Sequence, residues 1–111
     1  MKYVITETKM VQIILNFLDK EYGNFKIYEN AQRVGLDFYG KNNNIYMIFE
    51  SSQHDLYLYG SLYSDLENIF SLGIREIQKI IREWVKLRYN LDVVSVFNGG
   101  DARDMNYWLT N

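Results

Sequence analysis

The sequence predicts an α+β domain: an antiparallel sheet of about four to five strands with two to three helices packed on one face. Three observations point there. Between residues 25 and 60, short segments alternate apolar and polar positions, and the turns between them are rich in Asn, Gly and Ser, as antiparallel hairpins require. Longer stretches before and after that run carry apolar residues at helical spacing. With 111 residues, 48% of them hydrophobic and 16% aromatic, the chain can bury one core but not two, so 1–111 is read as a single domain.

KYVI (2–5) reads as an optional short strand. Thr6 is then a suitable N-cap for a helix running to about Tyr22, where Gly23 stops it. Met10, Val11, Ile13, Ile14, Leu15, Phe17 and Leu18 spread over a wide arc of that helix, so most of it should be buried. The strand segments follow: FKIYE (25–29), RVGLDFY (33–39), IYMIFE (45–50) and LYLYG (56–60). With a period of two, one face collects Phe25, Ile27, Val34, Leu36, Phe38, Met47, Phe49, Leu56 and Leu58. The other collects Tyr28, Asp37, Tyr39, Tyr46, Ile48, Tyr57 and Tyr59.

Ser64 followed by Glu67 has the spacing of a capping box and opens a short helix through Phe70, ending near Gly73. IREIQKIIREWVKLRYN follows, and stepping roughly 100° per residue places Ile74, Ile77, Ile80, Ile81, Trp84, Val85 and Leu87 on one continuous face. Asn90 caps its end, and DVVSVF (92–97) reads as a last strand. Gly99 and Gly100 then break that strand. Asp101 takes an N-cap position, with Asp104 in a first helical turn where the helix dipole favours negative charge. That pair is therefore read as structural rather than catalytic. Met105, Tyr107 and Trp108 are left to dock on this domain or on a neighbouring chain.

The chain has no cysteine, which removes disulfides, thiolate metal sites and a cysteine nucleophile, and fits a reducing, cytoplasmic setting. Its first residues lack the apolar core of a secretory signal, and no stretch approaches the length of a membrane span. A net charge of −2 excludes a globally basic nucleic-acid binder while allowing a local patch. There are eleven Asn, eleven Ile and ten Tyr against two Ala and no Pro, a usage that AT-rich coding DNA favours.

The opening MKYVITE and the passage NIFSLGIREIQKIIREWVKLRYNLDV, with an aromatic-leucine-glycine step before an isoleucine-rich helix ending in WV and a YNL turn, resemble short uncharacterised proteins of tailed bacteriophages. The matching stretches cover about a third of the chain and hold no catalytic motif. The resemblance implies a phage or prophage origin. It brings no activity and no functional residues with it.

Three groups of residues qualify as candidate sites. His54, beside Asp55 and near Glu50, Ser51 and Ser52, has the chemistry of a general base, but a polar turn with a surface histidine is the preferred reading. One histidine and no cysteine leave too few ligands for zinc, and no glycine-rich phosphate loop is present, so neither metal nor cofactor is expected. Arg75, Lys79, Arg82 and Lys86 fall within roughly 60° on the helix and form a basic stripe. From Arg75 to Arg88 five basic residues stand against two acidic ones, giving +3, and the rest of the chain carries −5. Such a stripe suits phosphates or an acidic partner, although Glu76 and Glu83 are spaced to pair with Lys79 and Lys86.

The third group is the tyrosine-rich face. If helices cover only one side of the sheet, Tyr28, Tyr39, Tyr46, Tyr57 and Tyr59 are exposed together, and clustered tyrosines favour protein interfaces. The expected function is a small non-enzymatic macromolecular-interaction protein, phage-encoded, acting as an inhibitor of a host system or as a minor assembly component. Its expected partner is a protein or a second copy of itself rather than a membrane. The alternatives are a nucleic-acid binder using the basic stripe and a small hydrolase or nuclease around His54.

Overall fold

The computed structural model describes residues 7–30, 35–40, 43–100 and 103–104. The strand expected at 2–5 and the Thr6 cap lie outside these residues. The element order is α1 (Glu7–Tyr22), β1 (Lys26–Asn30), β2 (Gly35–Tyr39), β3 (Asn44–Glu50), β4 (Asp55–Tyr59), α2 (Ser61–Phe70), α3 (Ile74–Tyr89), β5 (Ser95–Gly100) and β6 (Arg103–Asp104). It is an α+β fold with a mostly antiparallel sheet.

In α1, Ile14, Leu15, Leu18 and Tyr22 recur at helical spacing and are buried, whereas Ile13 stays exposed, so the buried arc is narrower than the apolar content suggests. From β1 to β4 the chain forms an antiparallel meander in order. After β4 the chain turns directly into α2 at Gly60, whose φ of 75° lies in the left-handed region that glycine adopts without penalty. The helix therefore begins at Ser61, and Ser64, expected as its cap, sits inside the first turn with its hydroxyl donating to the Ser61 carbonyl. In α3, Glu76 reaches back to accept from the Gly73 amide at 2.7 Å. Asn90, with a φ of 56°, ends the helix by donating its amide to the Lys86 carbonyl.

Two helices thus separate β4 from β5, and such a crossover returns the chain to the same end of the sheet. Accordingly β5 pairs with β4 in parallel, which makes the sheet mixed rather than wholly antiparallel. This last strand runs through Gly99 and Gly100 instead of stopping before them, because Gly99 forms a bulge between Leu58↔Asn98 and Tyr59↔Gly100. Residues 103 and 104 are likewise not helical. They form a two-residue strand beside Asn44 and Ile45 of β3, in the ladder positions that β4 vacates when it turns into α2. The N-cap reading of Asp101 lies outside the described residues, and the first-turn reading of Asp104 is overturned.

The main core lies between one sheet face and all three helices. Phe38, Met47, Phe49, Leu56, Leu58 and Val96 from the sheet meet Ile14, Leu18, Leu62, Leu66, Ile77, Ile81 and Trp84 from the helices. On α3 the buried arc is Ile77, Ile80, Ile81, Trp84 and Val85, while Ile74 and Leu87, placed on that arc by the wheel, are exposed. They occupy its margins, one at the first residue and one about 90° from its centre. Arg88, by contrast, falls about 20° from Ile81 and points at α1. Its guanidinium donates from Nε and NH2 to the Gly23 carbonyl at 3.2 and 2.8 Å, and from NH1 to Asp19 Oδ1 at 3.2 Å. Trp84 Nε1 donates to the same Asp19 oxygen at 2.9 Å, so one carboxylate fastens α1 to α3.

Candidate functional site

Every buried helical residue belongs to the main core. The opposite sheet face has its own small cluster made of sheet residues: Tyr39, Ile45, Ile48 and Tyr59, with Tyr57 packed against them. Register places the neighbours on this face. Asp37, Ile48, Tyr57 and Phe97 lie in one row across β2, β3, β4 and β5, and Gly35, Glu50, Asp55 and Ser95 lie in the next.

The five tyrosines expected there divide into three groups. Tyr39 and Tyr59 are buried, at 6% exposure each. A bulge between Met47 and Ile45 of β3 inserts one residue and flips the alternation at that point, so Tyr46 turns to the helix side. There its ring centroid lies 6.2 Å from that of Tyr22 and 5.8 Å from that of Phe25, and it is not part of the tyrosine face. Tyr28 is half exposed, stacked edge-on to Tyr39 at 5.3 Å. Tyr57 is partly buried and stacks on exposed Phe97, with centroids 5.3 Å apart and planes tilted by 23°.

Phe97 is the residue that the alternation missed. Periodicity ends the last strand at Phe97 and gives it no neighbour, and only the parallel pairing with β4 brings the ring beside Tyr57. Gly99 is the companion feature: a Cβ at that position would stand 2.3 Å from Tyr59 Cε1, so the glycine leaves room for the buried ring.

Carboxylates gather on this face around the Tyr57 row, while Lys26, opposite Tyr39, stands at its β1 edge. Glu50 and Asp55 are direct cross-strand neighbours, and Asp37 is buried one row away, accepting from Asn30 Nδ2 at 3.1 Å. Burial, followed by the carboxylates of Asp55 and Glu50, raises the Tyr57 phenol above its ordinary value of 10, as low dielectric and nearby negative charge both oppose ionisation. A recess of about 210 Å³ between Asp37, Ile48, Glu50, Tyr57 and Tyr59 marks the middle of the face. The combination is a partly exposed aromatic stack beside the Glu50 carboxylate, with Asp37 and Asp55 buried beneath the face.

The basic stripe forms a second surface on α3. Lys79, Arg82 and Lys86 border an open groove of about 510 Å³ together with exposed Leu87 and Val94, and Arg75 is exposed at the helix start. Lys86 and Arg82 are both engaged within the chain. Lys86 pairs with Asp92 at 2.8 Å, and this hydrogen bond and charge hold the Asp92 carboxyl below its usual range. Arg82 donates to the Val94 carbonyl at 3.3 Å. The stripe thus fastens the segment between α3 and β5.

His54 takes a left-handed backbone conformation, φ 57°, and serves the same segment. Its Nδ1 lies 2.8 Å from the Asp92 carbonyl oxygen, its own carbonyl accepts from the Val94 amide at 2.8 Å, and its ring meets Phe49 edge-on at 5.9 Å. Among the described residues no group of three or more His, Cys, Asp or Glu has the geometry of a metal site, and no helix is long and apolar enough to cross a membrane. Met105, Tyr107 and Trp108 lie outside the described residues.

No protein-family model matches the chain, and no curated protein or solved structure is significantly similar to it.

Proposed function

We propose that this protein is a small non-enzymatic interaction protein, encoded by a tailed phage, that binds a protein partner through the acidic aromatic face and acts on a host system or as a minor assembly component. The observation that carries this reading is the Tyr57–Phe97 stack, with Tyr28 beyond it, exposed on the sheet face that carries Glu50 and Asp55. Rigid aromatic rings bury much area at low entropic cost, and a carboxylate surround selects a basic partner over an acidic one. The partner class is therefore a protein surface offering Arg or Lys, whose guanidinium or ammonium groups suit aromatic faces and carboxylates alike.

The nucleic-acid reading has less support, because Lys86 and Arg82 are committed to Asp92 and the Val94 carbonyl. The hydrolase reading has less again, with His54 Nδ1 held at a backbone carbonyl. The test is differential capture from host lysate by the tagged native protein and by a Tyr57→Ala/Phe97→Ala variant, with the mass of each determined in solution. A partner retained by the native protein, lost from a folded variant and released by salt is the expected result. Equal capture by both proteins sinks the reading, and a native dimer that the variant abolishes redirects it to self-association.

A further inference from the structure

A polar cleft of about 390 Å³ opens where the end of α1 meets the start of β1 and the first turn of α2, and none of the functions weighed above uses it. Its size falls in the range of small-molecule sites. Three aromatic rings, Tyr22, Phe25 and Tyr46, line one side, with centroid separations of 5.8 to 6.2 Å. Gly40 packs closely on two of those rings, since a Cβ there would lie 2.8 Å from Tyr46 Cδ1 and 3.1 Å from Phe25 Cε1.

Asp65 lies at the phenol end of Tyr22. Tyr22 donates its phenol hydrogen to Asp65 Oδ2 at 2.5 Å, and Ser61 Oγ lies 2.7 Å from the same phenol oxygen. Burial, and then the hydrogen bond to Asp65, push the Tyr22 phenol far above the ordinary tyrosine range, so it remains a donor and Asp65 an acceptor. Asp65 is only partly exposed, and among the described residues no cation pairs with it. Glu21 adds a second carboxylate to the lining, against Lys20 as the one described cation, so the cleft disfavours anions despite its place at a helix start.

We propose that this cleft binds a small organic cation of the alkylammonium class, with Asp65 as its counter-charge and the rings of Tyr22, Phe25 and Tyr46 as its walls. Ring faces attract such cations, quaternary ammonium above all, and a partly desolvated carboxylate completes the recognition. The site lies on the helix side of the sheet and is independent of the interaction face.

The probe is choline, compared with its uncharged carbon isostere, in which a tert-butyl group replaces the trimethylammonium. In an NMR titration choline should shift the ring resonances of Tyr22, Phe25 and Tyr46 saturably, and the isostere should bind about tenfold more weakly or not at all. Asp65→Asn should lower choline affinity to that of the isostere. Equal binding of the two probes, saturable shifts confined to other residues, or no saturable shift at all overturns the proposal. The comparison of probes on the native protein decides the matter even if Asp65→Asn does not fold.

Discussion

At the scale of single residues, the strictest constraints fall on positions with little or no chemistry of their own. Gly99 is one: any side chain there meets the ring of Tyr59, itself buried. Gly99→Ala should cost about 1–3 kcal/mol, the usual penalty for overpacking, read as a lower urea midpoint with an unchanged slope. The sequence showed a glycine pair but not which ring would lie over it, so the pair looked like a strand end. Tyr22 makes a second case. Tyr22→Phe removes its bonds to Asp65 and Ser61 and should cost about 1 kcal/mol at neutral pH. Its folded-state pKa is raised above the unfolded value of 10, so its contribution is whole below pH 10 and declines as pH climbs beyond it, because the unfolded chain gives up the proton first. Tyr57 and Tyr89 are shifted in the same direction. Denaturation curves collected above pH 10 should therefore show the native protein losing stability steeply, and Tyr22→Phe losing it less steeply.

At the scale of elements, the parts that were legible are those with long, regular periodicity. The bounds of α3 and its cap at Asn90 followed from apolar spacing and one residue type, and so did the meander with its short polar turns. What periodicity does not carry is a single inserted residue. The bulge in β3 moved Tyr46 to the opposite face, and the bulge at Gly99 extended β5 by three residues beyond its expected end. Local spacing also misled at Ser64, where a three-residue match to a capping box was overridden by the left-handed turn at Gly60. Arg88 shows the limit from another side: the charge count of the helix includes it without giving it a role, while its position on the helix directs it at α1. Because its fork holds the Gly23 carbonyl and Asp19 together, Arg88→Lys keeps the charge but loses the geometry. A loss of about 1–2 kcal/mol is expected in thermal or urea unfolding, with the helical circular dichroism of the folded protein unchanged.

At the scale of the whole molecule, helices on one face and carboxylates with aromatic rings on the other give the chain two unlike sides. Much of the candidate site was legible as a tyrosine-rich face, yet its composition was not, since burial of Tyr39 and Tyr59 and the arrival of Phe97 depend on pairings remote in sequence. Tyr59→Ala should consequently unfold the protein, at a cost of about 3–5 kcal/mol by analogy with other buried aromatic truncations, whereas Phe97→Ala should leave its melting temperature nearly unchanged. The parallel placement of β5 also bears on how the chain reaches this state. The contacts of β1 to β4 join neighbours in sequence and close small loops, but β5 finds its place only after α2 and α3 have closed a connection of 35 residues between Tyr59 and Ser95, and long closures are slow. The sheet should thus assemble from its meander outward, with β5 docking late and opening first. In native-state hydrogen exchange, the amides of Val96 and Asn98 should exchange through a smaller opening than those of Met47 and Phe49, making the strand that supplies Phe97 to the aromatic face the first to let go.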